Sequence, residues 1–214
     1  MPDSAEWLVF LGTATLFAIM PGPGIFYVLA RSLRGGRSEG IRSVVGNGIG
    51  ACVHVVAAAF GLSALLATSA TAFTVVKLAG AAYLVYLGLK TLFGKDDAET
   101  AVLADDVAGR EGKRRSVVLQ GVLSEVLNPK TALYFLALLP HFVHPERDPA
   151  PLVFMVLGLI AVGMAVTVDL LVAIFAGYVG GKLRQNPQWR IRQRIGTGLT
   201  MVGLGGLLAF AEQS

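Results

Sequence analysis

Long uninterrupted runs of apolar residues constrain this chain more than any other feature of its sequence. A helix needs about 20 apolar residues to cross a bilayer core of roughly 30 Å, and at least five stretches of the chain reach that length. Charged residues make up only 15% of the 214 residues, whereas soluble domains carry about 25%. The sequence therefore predicts an all-α membrane protein rather than a soluble domain. We expect six transmembrane helices, at about residues 7–30, 43–68, 73–93, 117–142, 152–177 and 195–211.

The distribution of lysine and arginine predicts how these spans are oriented. The loops after the first, third and fifth spans contain four, five and five basic residues, and the other connections contain one at most. The positive-inside rule places the basic loops in the cytoplasm and both termini outside. The net charge of +4 is thus a topology signal for a multi-pass protein of the lipid bilayer. We do not expect nucleic acid among its partners.

A hydrophilic segment at residues 94–115 divides the chain into two halves. Its acidic and basic residues are mixed, which is typical of a solvated linker on the cytoplasmic side. Residues 1–93 and 116–214 are then two three-helix repeats. Because each half contains an odd number of spans, the two repeats must lie in opposite orientations. Inverted repeats of this kind are common in secondary transporters.

Helix-breaking residues interrupt two of the predicted spans, helices 1 and 4. The first contains Met20-Pro21-Gly22-Pro23-Gly24 and the fourth contains Asn128-Pro129-Lys130. Proline removes a backbone donor and glycine raises the entropic cost of helix formation, so each span is predicted to consist of two half-helices. Paired interruptions in the two halves point to a transporter's binding site. The alternative is a pair of proline kinks that only shape the helices.

Each break is predicted to start a new half-helix. A helix N-terminus presents unpaired N–H groups and a partial positive charge. Because the first and fourth spans run in opposite directions, their two positive ends would meet near the middle of the membrane. This arrangement predicts an anion site suited to a carboxylate. Its residues would be Pro21, Gly22, Pro23, Gly24, Asn128 and Pro129.

Three of the charged residues inside predicted spans are candidates for function, because a charge near the centre of the membrane costs about 2.5–3.5 kcal/mol. Lys130 would hold a substrate carboxylate or neutralise a carboxylate of the protein, with Glu125 or Asp169 as its partner. Asp169 is the only charge in the fifth span. It is a candidate for proton coupling or for contact with an ammonium group, and a structural pair with Lys130 is the alternative. Glu125 lies nearer the inner end of its span, where it would face an aqueous vestibule.

Two polar residues of the second span share one helical face. Asn47 and His54 are seven positions apart, with small residues between them on that face. His54 is a candidate proton relay, and a histidine bonded to a backbone carbonyl is the alternative. Asn47 is a candidate for contact with the substrate.

The sequence lacks the motifs of several other classes of protein. No metal-ligand cluster or P-loop is present, and one cysteine, Cys52, provides neither a disulfide nor a dithiol relay. We therefore expect no cofactor, no metal and no enzymatic activity. The acidic start of the chain predicts no signal peptide. An intramembrane enzyme and a membrane scaffold or sensor remain as the alternatives to a transporter.

Motifs along the whole chain resemble the lysine exporter family of the LysE/RhtB type. They are Pro21-Gly22-Pro23 in the first span, residues 80–88 (GAAYLVYLG) in the third, and Asn128-Pro129-Lys130 followed by residues 139–142 (LPHF) in the fourth. The resemblance implies efflux of amino acids or derivatives such as homoserine, threonine, leucine or lysine across the inner (plasma) membrane. It also implies coupling to the proton-motive force, and homodimers. Gly24 and His141 stand where the family often has a polar residue and a glutamine, so the resemblance does not name the substrate.

Overall fold

The chain folds into helices joined by short turns. The computed structural model describes residues 1–93 and 116–183, together with 195, 199, 202 and 203. The expected linker at 94–115 and most of the expected sixth span lie outside these residues. All regular elements of the described part are helical, as predicted. They are α1 (Ser4–Ile19), α2 (Pro23–Ala57), a π-helical segment (Ala58–Leu62), α3 (Ser63–Thr68), α4 (Ala70–Phe93), α5 (Val117–Val126), α6 (Pro129–Leu133), a second π-helical segment (Tyr134–Leu138), a 3₁₀ turn (Leu139–Phe142) and α7 (Ala150–Leu183).

Several of these elements have the length and apolar character of membrane spans. Within the described residues, Pro23–Leu65 and Ala150–Ala176 are long and apolar enough to cross a membrane. The pair Val117–Val126 and Pro129–Phe142 bends by 44° and adds a third span if it is counted as one. The shorter helix α1 is apolar as well. The prediction of an all-helical chain with membrane-spanning segments is thus confirmed.

Gly36 reverses the direction of the chain within α2. Its φ of 70° lies in the left-handed region that glycine adopts without steric cost. Asn47 Nδ2 lies 3.1 Å from the carbonyl oxygen of Gly24, although 23 residues of straight helix would separate them by about 35 Å. The two arms of α2, residues 23–35 and 37–57, therefore run antiparallel. The expected basic loop at residues 31–42 is wrong in extent, because both arms stay helical up to this single glycine.

Small residues allow the second arm of α2 to pack closely against α5. A Cβ atom added at Gly50 would lie 2.7 Å from the carbonyl oxygen of Val122, and one added at Gly46 would collide with the carbonyl oxygen of Val118. A Cβ added at Gly121 of α5 would lie 3.1 Å from the Cα of Gly46 in the same contact. The backbones of the two helices are thus in direct contact, as small residues at helix interfaces permit.

This contact predicts the effect of adding one methyl group at Gly46. Gly46→Ala is expected to destabilise the protein by about 1–3 kcal/mol, the usual cost of overpacking, because the obstructing atom belongs to the backbone. The measurement is thermal unfolding of the detergent-solubilised protein. Gly12→Ala is the matched control, since nothing lies within 4 Å of its added Cβ. Equal unfolding temperatures for the two variants would contradict the close packing.

Candidate functional site

The first break lies between α1 and α2. Helix α1 ends at Ile19, Met20 adopts extended backbone angles, and Gly22 precedes α2 with φ near −158°. Pro23 is the first residue of α2, where its missing N–H costs no helical hydrogen bond. The predicted interruption of the first span is confirmed.

The second break lies between α5 and α6. Helix α5 ends at Val126, and Asn128 caps α6 by accepting a hydrogen bond from the backbone N–H of Lys130 at 3.0 Å. Pro129 is the first residue of α6. The predicted interruption of the fourth span is confirmed, and Asn128 is the N-cap of the new half-helix.

Lys130 joins the two breaks. Its ammonium group donates a hydrogen bond to the carbonyl oxygen of Met20 at 2.7 Å and lies 4.7 Å from the centre of the Phe17 ring. Its side chain also passes Gly22, where an added Cβ would lie 3.0 Å from Lys130 Cδ. The side chain of Lys130 is only 7% exposed. The breaks are therefore in contact, 110 residues apart in sequence.

The expected ion pair of Lys130 with a carboxylate is wrong for this structure. No salt bridge within 4.0 Å joins Lys130 to Glu125 or Asp169 among the described residues. The ammonium group instead lies at the C-terminal end of α1, where helix carbonyl groups carry a partial negative charge. Aromatic contact with Phe17 adds a cation–π attraction.

Glu125 forms hydrogen bonds across the second break. One carboxylate oxygen accepts a hydrogen bond from the Thr131 hydroxyl, and the other accepts one from Asn128 Nδ2 at 3.0 Å. The side chain is buried, so the aqueous vestibule expected around it is not observed. These contacts cross the break. A carboxylate near the N-terminus of a helix is also stabilised by the partial positive charge at that end.

Asn47 joins the start of α2 to α7. Its amide nitrogen donates to the carbonyl oxygen of Gly24 at 3.1 Å and to Asp169 Oδ2 in α7 at 2.9 Å. Its own oxygen, Oδ1, is buried and has no partner among the described residues. A Cβ added at Gly24 would lie 2.5 Å from Glu125 Oε2 and 3.0 Å from Asn47 Nδ2. Because Gly24 has no side chain, the Glu125 carboxylate and the Asn47 amide can lie next to the start of α2.

His54 lies beside the same cluster. Its Nε2 is 3.1 Å from the carbonyl oxygen of Glu125, and its ring stacks on Phe135. A carbonyl oxygen only accepts, so this nitrogen must carry the hydrogen. The contact matches the alternative stated for this residue, a histidine bonded to a backbone carbonyl. It adds a donor to a carbonyl oxygen that also accepts from the Asn128 N–H at 3.1 Å.

The charges of the site do not balance. Lys130, Glu125 and Asp169 are all buried, so the fully ionised cluster would carry one excess negative charge. An uncompensated charge in a low-dielectric interior costs several kcal/mol. One proton or one ammonium group from a ligand would neutralise it. Among the described residues no group of three or more histidine, cysteine, aspartate or glutamate side chains is placed to hold a metal ion.

Sequence reasoning missed three residues of this site. Thr131 binds Glu125, Phe17 contacts the Lys130 ammonium group, and Tyr134 stacks on Phe17 with ring centres 4.2 Å apart. Their only sequence signal is nearness to the breaks. Thr131 and Tyr134 follow Lys130 by one and four positions, and Phe17 precedes Pro21 by four.

Hydrogen bonds also join separate segments of the chain on the two sides of the breaks. At the end nearest Gly36, the Tyr27 hydroxyl donates to the carbonyl oxygen of Val117 at 2.7 Å, and Arg31 donates to Gln120. At the other end, His144 Nε2 lies 2.8 Å from a carboxylate oxygen of Glu6. These contacts join α2 to α5 and the start of α1 to the segment before α7.

Comparison with known proteins identifies the family. Residues 15–212 match the family model described as LysE type translocator. An uncharacterized membrane protein of Vibrio cholerae is 33% identical over 215 residues, which cover 98% of this chain and 99% of the relative. A homoserine/homoserine lactone efflux protein of Salmonella typhimurium is 28% identical over 209 residues, covering 97% and 98%. A leucine efflux protein of Klebsiella pneumoniae is 29% identical over 157 residues, covering 72% and 71%.

No solved structure matches the chain. The family model spans both breaks and nearly the whole sequence, and the relatives from Salmonella typhimurium and Klebsiella pneumoniae are named efflux proteins. The resemblance drawn from the sequence motifs is confirmed, as is the expectation that the protein is a transporter and not an enzyme. This chain belongs to the LysE-type translocator family.

Proposed function

We propose that the protein exports amino acids or close derivatives across the inner membrane and that the cluster around the two breaks holds the substrate. The observation that carries this proposal is the burial of Lys130 between the breaks, with two buried carboxylates nearby. A zwitterionic amino acid brings one negative and one positive group, which complement this arrangement. The names of the efflux relatives favour the same class of substrate.

Lys130 is the proposed ligand of the substrate carboxylate. Its present partner is a neutral carbonyl oxygen, that of Met20. A charged carboxylate makes a stronger hydrogen bond with an ammonium group than a carbonyl does. The incoming substrate would therefore displace Met20 from Lys130 and loosen the contact between the two breaks.

Asp169 is the proposed ligand of the substrate ammonium group. Both oxygens of Glu125 already accept hydrogen bonds across the second break, whereas Asp169 accepts one from Asn47 through Oδ2 alone among the described residues. The unpartnered oxygen of Asn47 adds a neutral acceptor beside it. This acceptor-rich side of the site suits an ammonium group.

The excess negative charge supports coupling to protons. Without substrate, one proton on Asp169 or Glu125 would neutralise the cluster. A zwitterionic substrate adds no net charge, but its ammonium group would compete with the proton for the Asp169 carboxylate. Such competition couples efflux to the proton-motive force, which is the driving force we propose.

The architecture proposed for this mechanism is that of a six-helix transporter. Two inverted repeats, residues 1–93 and 116–214, would rock about the site and open it to each side in turn, with 94–115 as the cytoplasmic linker and both termini outside. The contacts at the two ends, Tyr27 with Val117 and Glu6 with His144, would open alternately. Exposed apolar side chains such as Leu8, Phe60 and Phe175 would face lipid or a second copy in a homodimer.

Purified protein in liposomes tests the function. We expect efflux of labelled amino acids when a pH gradient is imposed, and exchange of label with unlabelled substrate when it is not. Protein-free liposomes set the background. A membrane scaffold or sensor would bind amino acids without moving label, and the absence of both efflux and exchange across a panel of amino acids would contradict the proposal.

Gly24 offers a test of the site's geometry. Gly24→Ala is expected to lower transport about tenfold, because the new methyl group displaces Glu125, which is held by two hydrogen bonds. Initial efflux rates at matched protein density provide the measurement. Gly163→Ala is the control, since nothing lies within 4 Å of its added Cβ in α7. Wild-type rates in Gly24→Ala would mean that the position of Glu125 does not matter.

A further inference from the structure

An aromatic pair borders the cationic side of the site. Phe17 in the last turn of α1 stacks on Tyr134 with ring centres 4.2 Å apart and planes 22° apart. The same Phe17 ring contacts the Lys130 ammonium group. Tyr134 follows Lys130 by four residues and therefore lies one turn further along the same helical face. Lys130 and Tyr134 thus both contact the Phe17 ring, which belongs to the first broken span.

The hydroxyl group of Tyr134 forms no hydrogen bond with the part of the chain that the structure describes. It is buried and has no hydrogen-bond partner among the described residues, and the whole residue is 3% exposed. Buried tyrosine hydroxyls ordinarily find a partner, because an unmade hydrogen bond in the interior is costly. Phenylalanine would stack on Phe17 without that cost. The packing therefore explains the ring of Tyr134 but not its oxygen.

The backbone at Tyr134 is unusual as well. Tyr134 begins the π-helical segment that ends at Leu138. Such segments are rare and are frequently found at functional sites. The unpartnered hydroxyl and the π-helical backbone are independent observations, and both distinguish this turn of the broken span from an ordinary core helix.

We propose that Tyr134 is a specificity-determining residue whose hydroxyl donates a hydrogen bond to the carboxylate of the transported molecule. The inference rests on the proposed function, in which Lys130 binds that carboxylate. A carboxylate has two oxygens, and Lys130 and Tyr134 would each take one. Two-point binding selects molecules with a free carboxylate over their esters, which carry no negative charge. It also selects them over their amides, in which a nitrogen replaces one oxygen. Phe17 positions both donors.

Tyr134→Phe tests this role directly. The hydroxyl has no protein partner among the described residues, so its removal is expected to raise the unfolding temperature slightly rather than lower it. A lost hydrogen bond to a charged group should raise KM for an amino acid about tenfold or more, with kcat little changed. The concentration of methyl ester or amide that competes with the amino acid should change far less. The preference of the transporter for free carboxylates should therefore shrink by about the same factor as KM rises.

Ser63→Ala provides the matched control. The Ser63 hydroxyl is also buried and unpartnered among the described residues, but it lies at the start of α3 rather than at a break. Its loss is expected to leave KM and the preference for free carboxylates unchanged. Equal effects of the two substitutions would overturn the inference.

The outcomes separate this inference from the proposed function. If the wild-type protein transports amino acids and Tyr134→Phe keeps the wild-type KM, the role of Tyr134 is wrong and the proposed function stands. A tenfold rise in KM that applies equally to esters and amides would also overturn recognition of the carboxylate by Tyr134. If the wild-type protein moves no amino acid, both proposals fail together.

Discussion

Replacing Lys130 with methionine is expected to lower export by about 100-fold or more. Methionine is similar in length and apolar, so the variant keeps the volume of the side chain between the two breaks and loses its charge. Removing one partner of a buried charged pair typically costs about 3–5 kcal/mol, and each 1.36 kcal/mol corresponds to a factor of ten. The loss should appear in initial rates of efflux from liposomes and in binding of amino acids to the purified protein.

The control for this variant is a lysine outside the site. Lys90→Met removes an exposed lysine from the last turn of α4 and is expected to leave export close to wild type. Lys90→Met should unfold like the wild-type protein. Lys130→Met leaves the buried Glu125 and Asp169 carboxylates without a cation and should unfold at a lower temperature, so export is compared at equal amounts of folded protein. Export by Lys130→Met at the wild-type rate would show that the substrate carboxylate is bound elsewhere.

Replacing Asp169 with asparagine is expected to abolish the response of transport to a pH gradient. Asparagine keeps the shape of the side chain and can still pair with Asn47, but the cluster then holds Lys130 and Glu125 alone as charges and no longer needs a proton. Gradient-driven efflux should fall by about 100-fold, the effect expected when a buried ammonium group loses its carboxylate. Any residual exchange should be insensitive to the imposed gradient.

An exposed carboxylate provides the comparison for Asp169. Glu146→Gln changes a side chain that is 67% exposed and lies 3.6 Å from His144, and its gradient-driven efflux should stay normal. Normal gradient-driven efflux in Asp169→Asn would remove Asp169 from the coupling mechanism. Proton exchange would then have to depend on Glu125 or His54.

The helix breaks could be predicted from sequence because their causes are local. Proline lacks an N–H group and an asparagine before it caps the next helix, so residues 21–24 and 128–130 carry their own signal. The hydrogen bonds of Glu125 with Asn128 and Thr131 also span few residues. Membrane spans were equally accessible, since a run of apolar residues long enough to cross the bilayer has few other uses.

Contacts between distant segments were harder to predict. Lys130 had two carboxylates as plausible partners, and only the three-dimensional arrangement shows that it reaches the Met20 carbonyl oxygen. The helical arms on both sides of Gly36 were not expected, because arginine and serine near glycine resemble a loop in sequence. Tyr134 gave no polar signal within its apolar run, and its unpartnered hydroxyl is visible only after packing is known.

Photo-crosslinking tests the central claim most directly, namely that the two breaks together form the substrate site. A diazirine analogue of a transported amino acid would be irradiated with the purified protein, and the labelled residues mapped by mass spectrometry with and without excess natural substrate. We predict that the label suppressed by substrate lies at residues 17–24, at 125–134 and next to Asp169. Substrate-sensitive labelling confined to other parts of the chain would contradict the account.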